Sequence, residues 1–150
     1  MFLTTKGKPA KAPLKLCKKA IKWYGLKLLG TRLYETISVE LIFSKKDMPK
    51  DVYAYCDSND YGQRKREFTI TVRPDLSKKQ ILLAMAHEMV HVKQYARGEL
   101  KDYLRTNRCK WKGEFIDESV WYWDLPWEIE AHGREKGLYI SFIEIMRSLK

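Results

Sequence analysis

Histidine is nearly absent from this chain: three occur in 150 residues. Cysteine is as scarce. Cys17, Cys56 and Cys109 form an odd set at no paired spacing, which argues against a disulfide framework and against a cysteine-type zinc finger. They read as reduced thiols of a cytoplasmic protein. The opening "MFLTTKGKPAKAPLKL" lacks a continuous apolar core of signal-peptide length, and no run reaches the length of a membrane span. No internal repeat, low-complexity tract or linker divides the chain. At this length one domain with a sizeable core is expected.

Acid is missing from the start. Residues 1–29 hold eight lysines and no Asp or Glu, against a net charge of +10 for the whole chain. Such a block fits nucleic acid or an acidic partner. The plainer reading is a solvated helix face, because Leu14, Cys17, Ile21, Tyr24 and Leu28 recur at helical spacing with Lys15, Lys18, Lys19 and Lys22 between them. Charge runs are usually such faces, so nucleic-acid binding is kept open but not favoured.

What is present divides cleanly. Residues 1–12 read as a basic flexible N-terminus, and 13–150 as a single domain. A helix over 13–29 closes at Gly30. "YETISVELIF" alternates, with Ile37, Val39, Leu41 and Phe43 on one side; "VYAYCD" is a short strand; "SNDYGQRKR" turns the chain into "EFTITV", with Phe68, Ile70 and Val72 on one side. Ser77 with Gln80 makes a capping-box pattern, Leu76 and Ile81 sit at staple spacing, and Gly98 stops the helix after Arg97. Residues 99–125 read as irregular, with a short hairpin around "CKWKGEF". A last helix starts near Pro126, with Leu138, Phe142, Ile145 and Leu149 inward. The class is α+β: N-terminal helix, three-stranded sheet, helix, irregular loop, helix.

The second of these helices carries "MAHEMVHVKQY". His87 and His91, four apart, lie roughly 40° apart in azimuth and can reach one ion, whereas Glu88 is swung roughly 100° from His87. Glu88 is therefore placed to reach a water on the ion. Two zinc ligands and a general base follow from that geometry. The apolar "ILLAMA" just upstream marks a buried helix, on which polar side chains need a compensating partner.

A catalytic zinc takes three protein ligands and keeps one position open. Phase selects Glu128 in "DLPWEIEAHGREKGL": it continues the inward stripe through Glu135, Leu138 and Phe142, in the first turn after Pro126 at the positive helix end. Glu130 is off that stripe and four before Arg134, a spacing for a surface ion pair. His132, four after Glu128, has several readings: a partner orienting a ligand, a transition-state donor, the third ligand itself, or an ordinary partly exposed histidine. Trp111, Trp121, Trp123 and Trp127 crowd one stretch, either lining a cleft or stapling a long loop over the core.

"HEMVH" followed far downstream by "EIEAH" resembles the gluzincin branch of zinc metallopeptidases, and with "YWDLPWEIEAHGRE" it resembles the small bacterial and phage metallopeptidases labelled SprT-like. The resemblance covers residues 33–149. The third histidine of the SprT group proper is missing, and His132 stands where gluzincins commonly carry Asp. The resemblance implies a minimal zincin-like domain with one zinc per chain, held by His87, His91 and Glu128, and Glu88 as general base. It also implies a cytoplasmic monomer, of a phage-infected bacterium where the phage likeness applies, that cleaves an extended peptide or protein. His132, Tyr95 and Tyr122 are candidates for stabilising the oxyanion. Residues 52–57, with Tyr53 and Tyr55, are implied as the cleft rim that pairs with substrate. The rival reading is a non-catalytic, zinc-stabilised module that binds nucleic acid or an acidic partner through its lysine-rich helix.

Overall fold

Alternating apolar residues build the centre of a four-stranded sheet. In the computed structural model, which describes residues 1–62, 64–103 and 108–149, the sheet runs β1 (Phe2–Lys6), β2 (Ser38–Phe43), β4 (Glu67–Val72), β3 (Ala54–Ser58) in spatial order. Gln63 of the expected turn, residues 104–107 of the expected irregular stretch and Lys150 lie outside the described residues. β2 pairs parallel with β1 and β4, and β3 pairs antiparallel with β4. Val39, Leu41, Phe43, Phe68, Ile70 and Val72 all point into the core.

Residues 1–12 are not the flexible basic tail that their composition suggests. Phe2–Lys6 forms an edge strand in register with Ser38–Ile42, and the Phe2 amide donates to the Ile37 carbonyl at 2.9 Å. Its side chains are exposed or half-buried, so it carries little apolar alternation, and main-chain pairing rather than burial holds it.

The N-terminal helix α1 spans Leu14–Tyr34 with a break at Gly30 (φ 73°, ψ 161°), where the sequence places a stop. That left-handed conformation suits glycine. It also frees the carbonyls of Leu28 and Leu29, which accept from the Arg97 guanidinium at 3.2 and 3.1 Å. Cys17, Ile21, Tyr24 and Leu28 are buried, and Lys15, Lys18, Lys19 and Lys22 are exposed.

Helix α2 (Lys78–Ala96) is the hub, touching α1, β3, β4 and, later in the chain, β5 (Leu100–Tyr103) and α3 (Pro126–Ser148). Its start is capped reciprocally: Ser77 Oγ accepts from the Gln80 amide, and Gln80 Oε1 accepts from the Ser77 amide. Every residue from Met85 to Gln94 is buried. The helix ends at Gly98, whose φ of 69° is the left-handed turn that stops it.

The stretch after α2 is more ordered than its sequence suggests. A second antiparallel sheet forms from β5 (Leu100–Tyr103), β6 (Arg108–Trp111) and β7 (Glu114–Ile116). The β6–β7 turn is the hairpin expected at "CKWKGEF". A single 3-10 turn, Tyr122–Asp124, leads into α3 (Pro126–Ser148). Leu138 and Phe142 of α3 are buried as expected, but Ile145 and Leu149 are 37% and 73% exposed, because the helix runs past the edge of the core. The fold is α+β, and no helix among the described residues is long and apolar enough to cross a membrane.

Candidate metal centre

Two imidazoles four apart on a buried helix need partners, and α3 supplies them. His87 Nε2 lies 3.1 Å from His91 Nε2. Glu128, in the first turn of α3, puts one carboxylate oxygen 3.2 Å from His87 Nε2 and the other 3.5 Å from His91 Nε2. All three residues are buried. His87, His91 and Glu128 form a group able to hold a metal ion, and His87, His132 and Glu135 form a second that shares the His87 ring.

The outer nitrogens separate the two groups. His87 Nδ1 is 2.8 Å from Glu135 Oε2, and His91 Nδ1 is 2.8 Å from Gln94 Oε1. With carboxylate and amide oxygens as acceptors, both Nδ1 atoms donate a proton, and both Nε2 atoms are directed at Glu128. Gln94 is fully buried, and its amide nitrogen donates to the Trp127 carbonyl at 2.9 Å. Sequence reading missed Gln94 and placed Glu135 on the inward stripe without giving it a role. The available signal was a buried-phase polar residue three positions after a ligand.

Electrostatics bind the cluster together. Burial works against the charge on His87, but the carboxylates of Glu128 and Glu135 outweigh it and carry the imidazole up to about 10. Burial likewise opposes the charge on Glu128, yet bonds from His87, His91 and Tyr122 hold its carboxyl well below the usual carboxylate range. Glu88 differs. It is 6% exposed, and burial pushes its carboxyl up, while His91 and His87 pull it back. Among the described residues it has no hydrogen bond or ion pair, an expensive state for a buried carboxylate unless something in the cleft meets it.

That cleft, of about 860 Å³, has α2 as its floor through Leu83, Ala84, His87, Glu88 and His91. Val52–Cys56 forms one wall, and the 3-10 turn with the start of α3 forms the other. Tyr122 donates its hydroxyl to Glu128 Oε2 at 2.8 Å and lies 3.2 Å from His132 Nε2. His132 also lies 3.4 Å from Glu135, and the Trp123 ring covers it at 4.8 Å. Tyr95 lines the cleft too, but burial and the neighbouring Asp102 act on its hydroxyl. Tyr122 and His132 are thus brought to the ligand set, and Tyr95 turns toward Asp102. Tyr53 and Tyr55 stand exposed on the opposite wall, with the Tyr53 hydroxyl accepting from Gln80 at 3.3 Å. The tryptophans divide: Trp111 packs on Trp127 at 6.4 Å, tying the second sheet to α3, while Trp123 and Trp127 line the cleft.

Glu130 makes the expected pair with Arg134 at 3.0 Å, yet it is not a plain surface group. Its carboxylate also meets Lys93, a buried lysine that bonds Glu99 at 2.7 Å. No protein-family model, curated protein or solved structure matches this chain.

Proposed function

We propose that the protein is a zinc metallopeptidase of the HExxH…E kind, with His87, His91 and Glu128 holding one zinc and Glu88 acting as general base. The observation that carries this reading is the unpartnered, buried Glu88 carboxylate beside a three-donor set. A purely structural site has no use for a base there and normally closes its fourth position with protein.

The donor spacing supports zinc. Bonds of about 2.0–2.1 Å in a tetrahedron put ligand atoms about 3.3 Å apart, and the three separations here are 3.1, 3.2 and 3.5 Å. When bound, the ion supplies a water of lowered pKa and polarises the scissile carbonyl. Glu88 accepts the water's proton and delivers it to the leaving amine. Tyr122 and His132, already beside Glu128, are the groups best placed to donate to the developing oxyanion. Glu135 and Gln94 keep the two imidazoles in the ligating tautomer.

Substrate orientation follows from the sheet edge. The Tyr53 carbonyl accepts from the Arg73 amide, and the Asn59 amide donates to the Glu67 carbonyl. The odd-numbered residues of this strand therefore bond to β4, and the main-chain groups of Ala54 and Cys56 face the open edge. An extended peptide adding there would lie along the cleft wall. The free cysteines fit action in a reducing cytoplasm.

The test is a pair of measurements on Glu88→Gln. The variant keeps the three ligands, so about one zinc per chain is expected to remain while peptide hydrolysis falls by about two to four orders of magnitude. Equal turnover of a cleaved peptide by variant and wild type would falsify the assignment of the base.

A further inference from the structure

The cleft carries a charge opposite to that of the chain around it. Lys and Arg make up about one residue in five of the sequence, yet none of the described ones lines the cleft. Its ionisable lining, beyond the histidines, cysteine and tyrosines, is Asp51, Glu88, Glu128 and Glu135. Zinc held by Glu128 and two neutral imidazoles leaves one positive charge, which Asp51 and Glu135 outweigh even without the base Glu88. Aromatic rings make up much of the rest: Tyr53 and Tyr55 on the strand wall, Tyr122, Trp123 and Trp127 on the other. Trp123 is 54% exposed although its ring meets both His132 and Tyr122, so much of it stays open.

Carboxylates and open aromatic surface, with no Lys or Arg among the described lining residues, are together a recognition set for an ammonium or guanidinium group. We infer that the cleft selects polypeptides that present a Lys or Arg side chain beside the scissile bond, received between the Trp123 face and the acidic lining. This deepens the metallopeptidase reading and rests on it for the bond that is cut. The chain's +10 field acts the other way. Charges beyond about 8 Å are screened at physiological salt, so only the local lining can give a preference for cations. The same lining repels the phosphates of a nucleic-acid strand, and its described residues, holding no Lys or Arg, offer no clamp for a terminal carboxylate. The substrate it suits is an internal basic segment.

The test separates recognition from hydrolysis. Zinc-loaded, full-length Glu88→Gln protein is titrated with three end-blocked, dye-labelled decapeptides that differ only in a central Arg, norleucine or Glu. Fluorescence anisotropy is expected to show the Arg peptide bound about tenfold more tightly than either of the others. Trp123→Leu and Asp51→Asn, each verified as folded by circular dichroism, are expected to shrink that ratio. Equal binding of the Arg and norleucine peptides, tighter binding of the Glu peptide, or a ratio unchanged in both variants overturns the inference. Wild-type turnover of the same peptides reports on the other reading. Selective binding of the Arg peptide without any cleavage would sink the peptidase and keep the cation site, whereas cleavage of all three at one rate would do the reverse.

Discussion

Glu135 reaches the site through an imidazole rather than through a substrate. Its carboxylate accepts from His87 Nδ1 across 48 residues of sequence, so it makes that imidazole more basic and fixes its tautomer. Glu135→Ala is expected to weaken zinc binding about 10–100-fold, read by competition with a chromophoric chelator; unchanged affinity would remove that role. A second consequence concerns pH. In the metal-stripped protein the His87–Glu128 pair contributes to folding. The His87 value is raised from 6.5 to about 10, so its contribution is complete below pH 6.5 and is lost as pH climbs through 10. The Glu128 value is lowered from 4.5, so the same pair also fails as pH falls below that. The thermal midpoint of chelated protein is therefore expected to decline between pH 6.5 and 10, and a flat profile would contradict the pairing. Zinc affinity should rise over the same interval, because the ion must displace that proton. The metal-capable trio was readable, since two periodicities, i to i+4 on α2 and the inward stripe on α3, put His87, His91 and Glu128 on facing surfaces. Gln94 was not. A glutamine acquires such a role only from the direction of its amide, which depends on Trp127 of another helix.

Elements were legible where burial imposed a pattern. β2 and β4 alternate because one face packs on the core, and α2 announces itself through its capping box. β1 and β5 did not show, and of β6 and β7 only the hairpin between them did, because their side chains are mostly half-buried or exposed and pairing through the main chain leaves no mark on residue choice. Helix α3 was placed correctly but read as apolar for too long, since periodicity cannot say where a neighbour ends. The contact between α2 and α3 is also held by charge. Lys93 is buried and meets Glu99 and Glu130, the latter shared with Arg134. Lys93→Ala leaves Glu99 without that partner and Glu130 with only Arg134 and a long bond from Gln94, and is expected to cost about 2–4 kcal/mol, measured by urea denaturation of the chelated protein. A loss of under about 0.5 kcal/mol would show the cluster behaving as a surface pair.

Across the whole molecule, charge is divided by place: exposed lysines along α1, carboxylates in the cleft. Composition alone reports only the sum, so the acidic lining was invisible until the chain was folded. The same limit applies to the order in which parts form. Glu128 lies 37 residues beyond His91, and an ion joining them would close that loop. Closing it is costly in chain entropy, about 4 kcal/mol for a cross-link of this span. Here the loop is already shut without an ion, by Gln94 against the Trp127 carbonyl and by Lys93 against Glu130. The entropy is therefore lost during folding, and an ion would meet a finished cradle. Chelated protein is expected to keep its helical far-ultraviolet and its aromatic near-ultraviolet circular dichroism, losing only the ion. Small zinc-stabilised modules unfold under the same treatment, so collapse of both spectra on chelation would mark the metal as part of the scaffold, not a visitor to it.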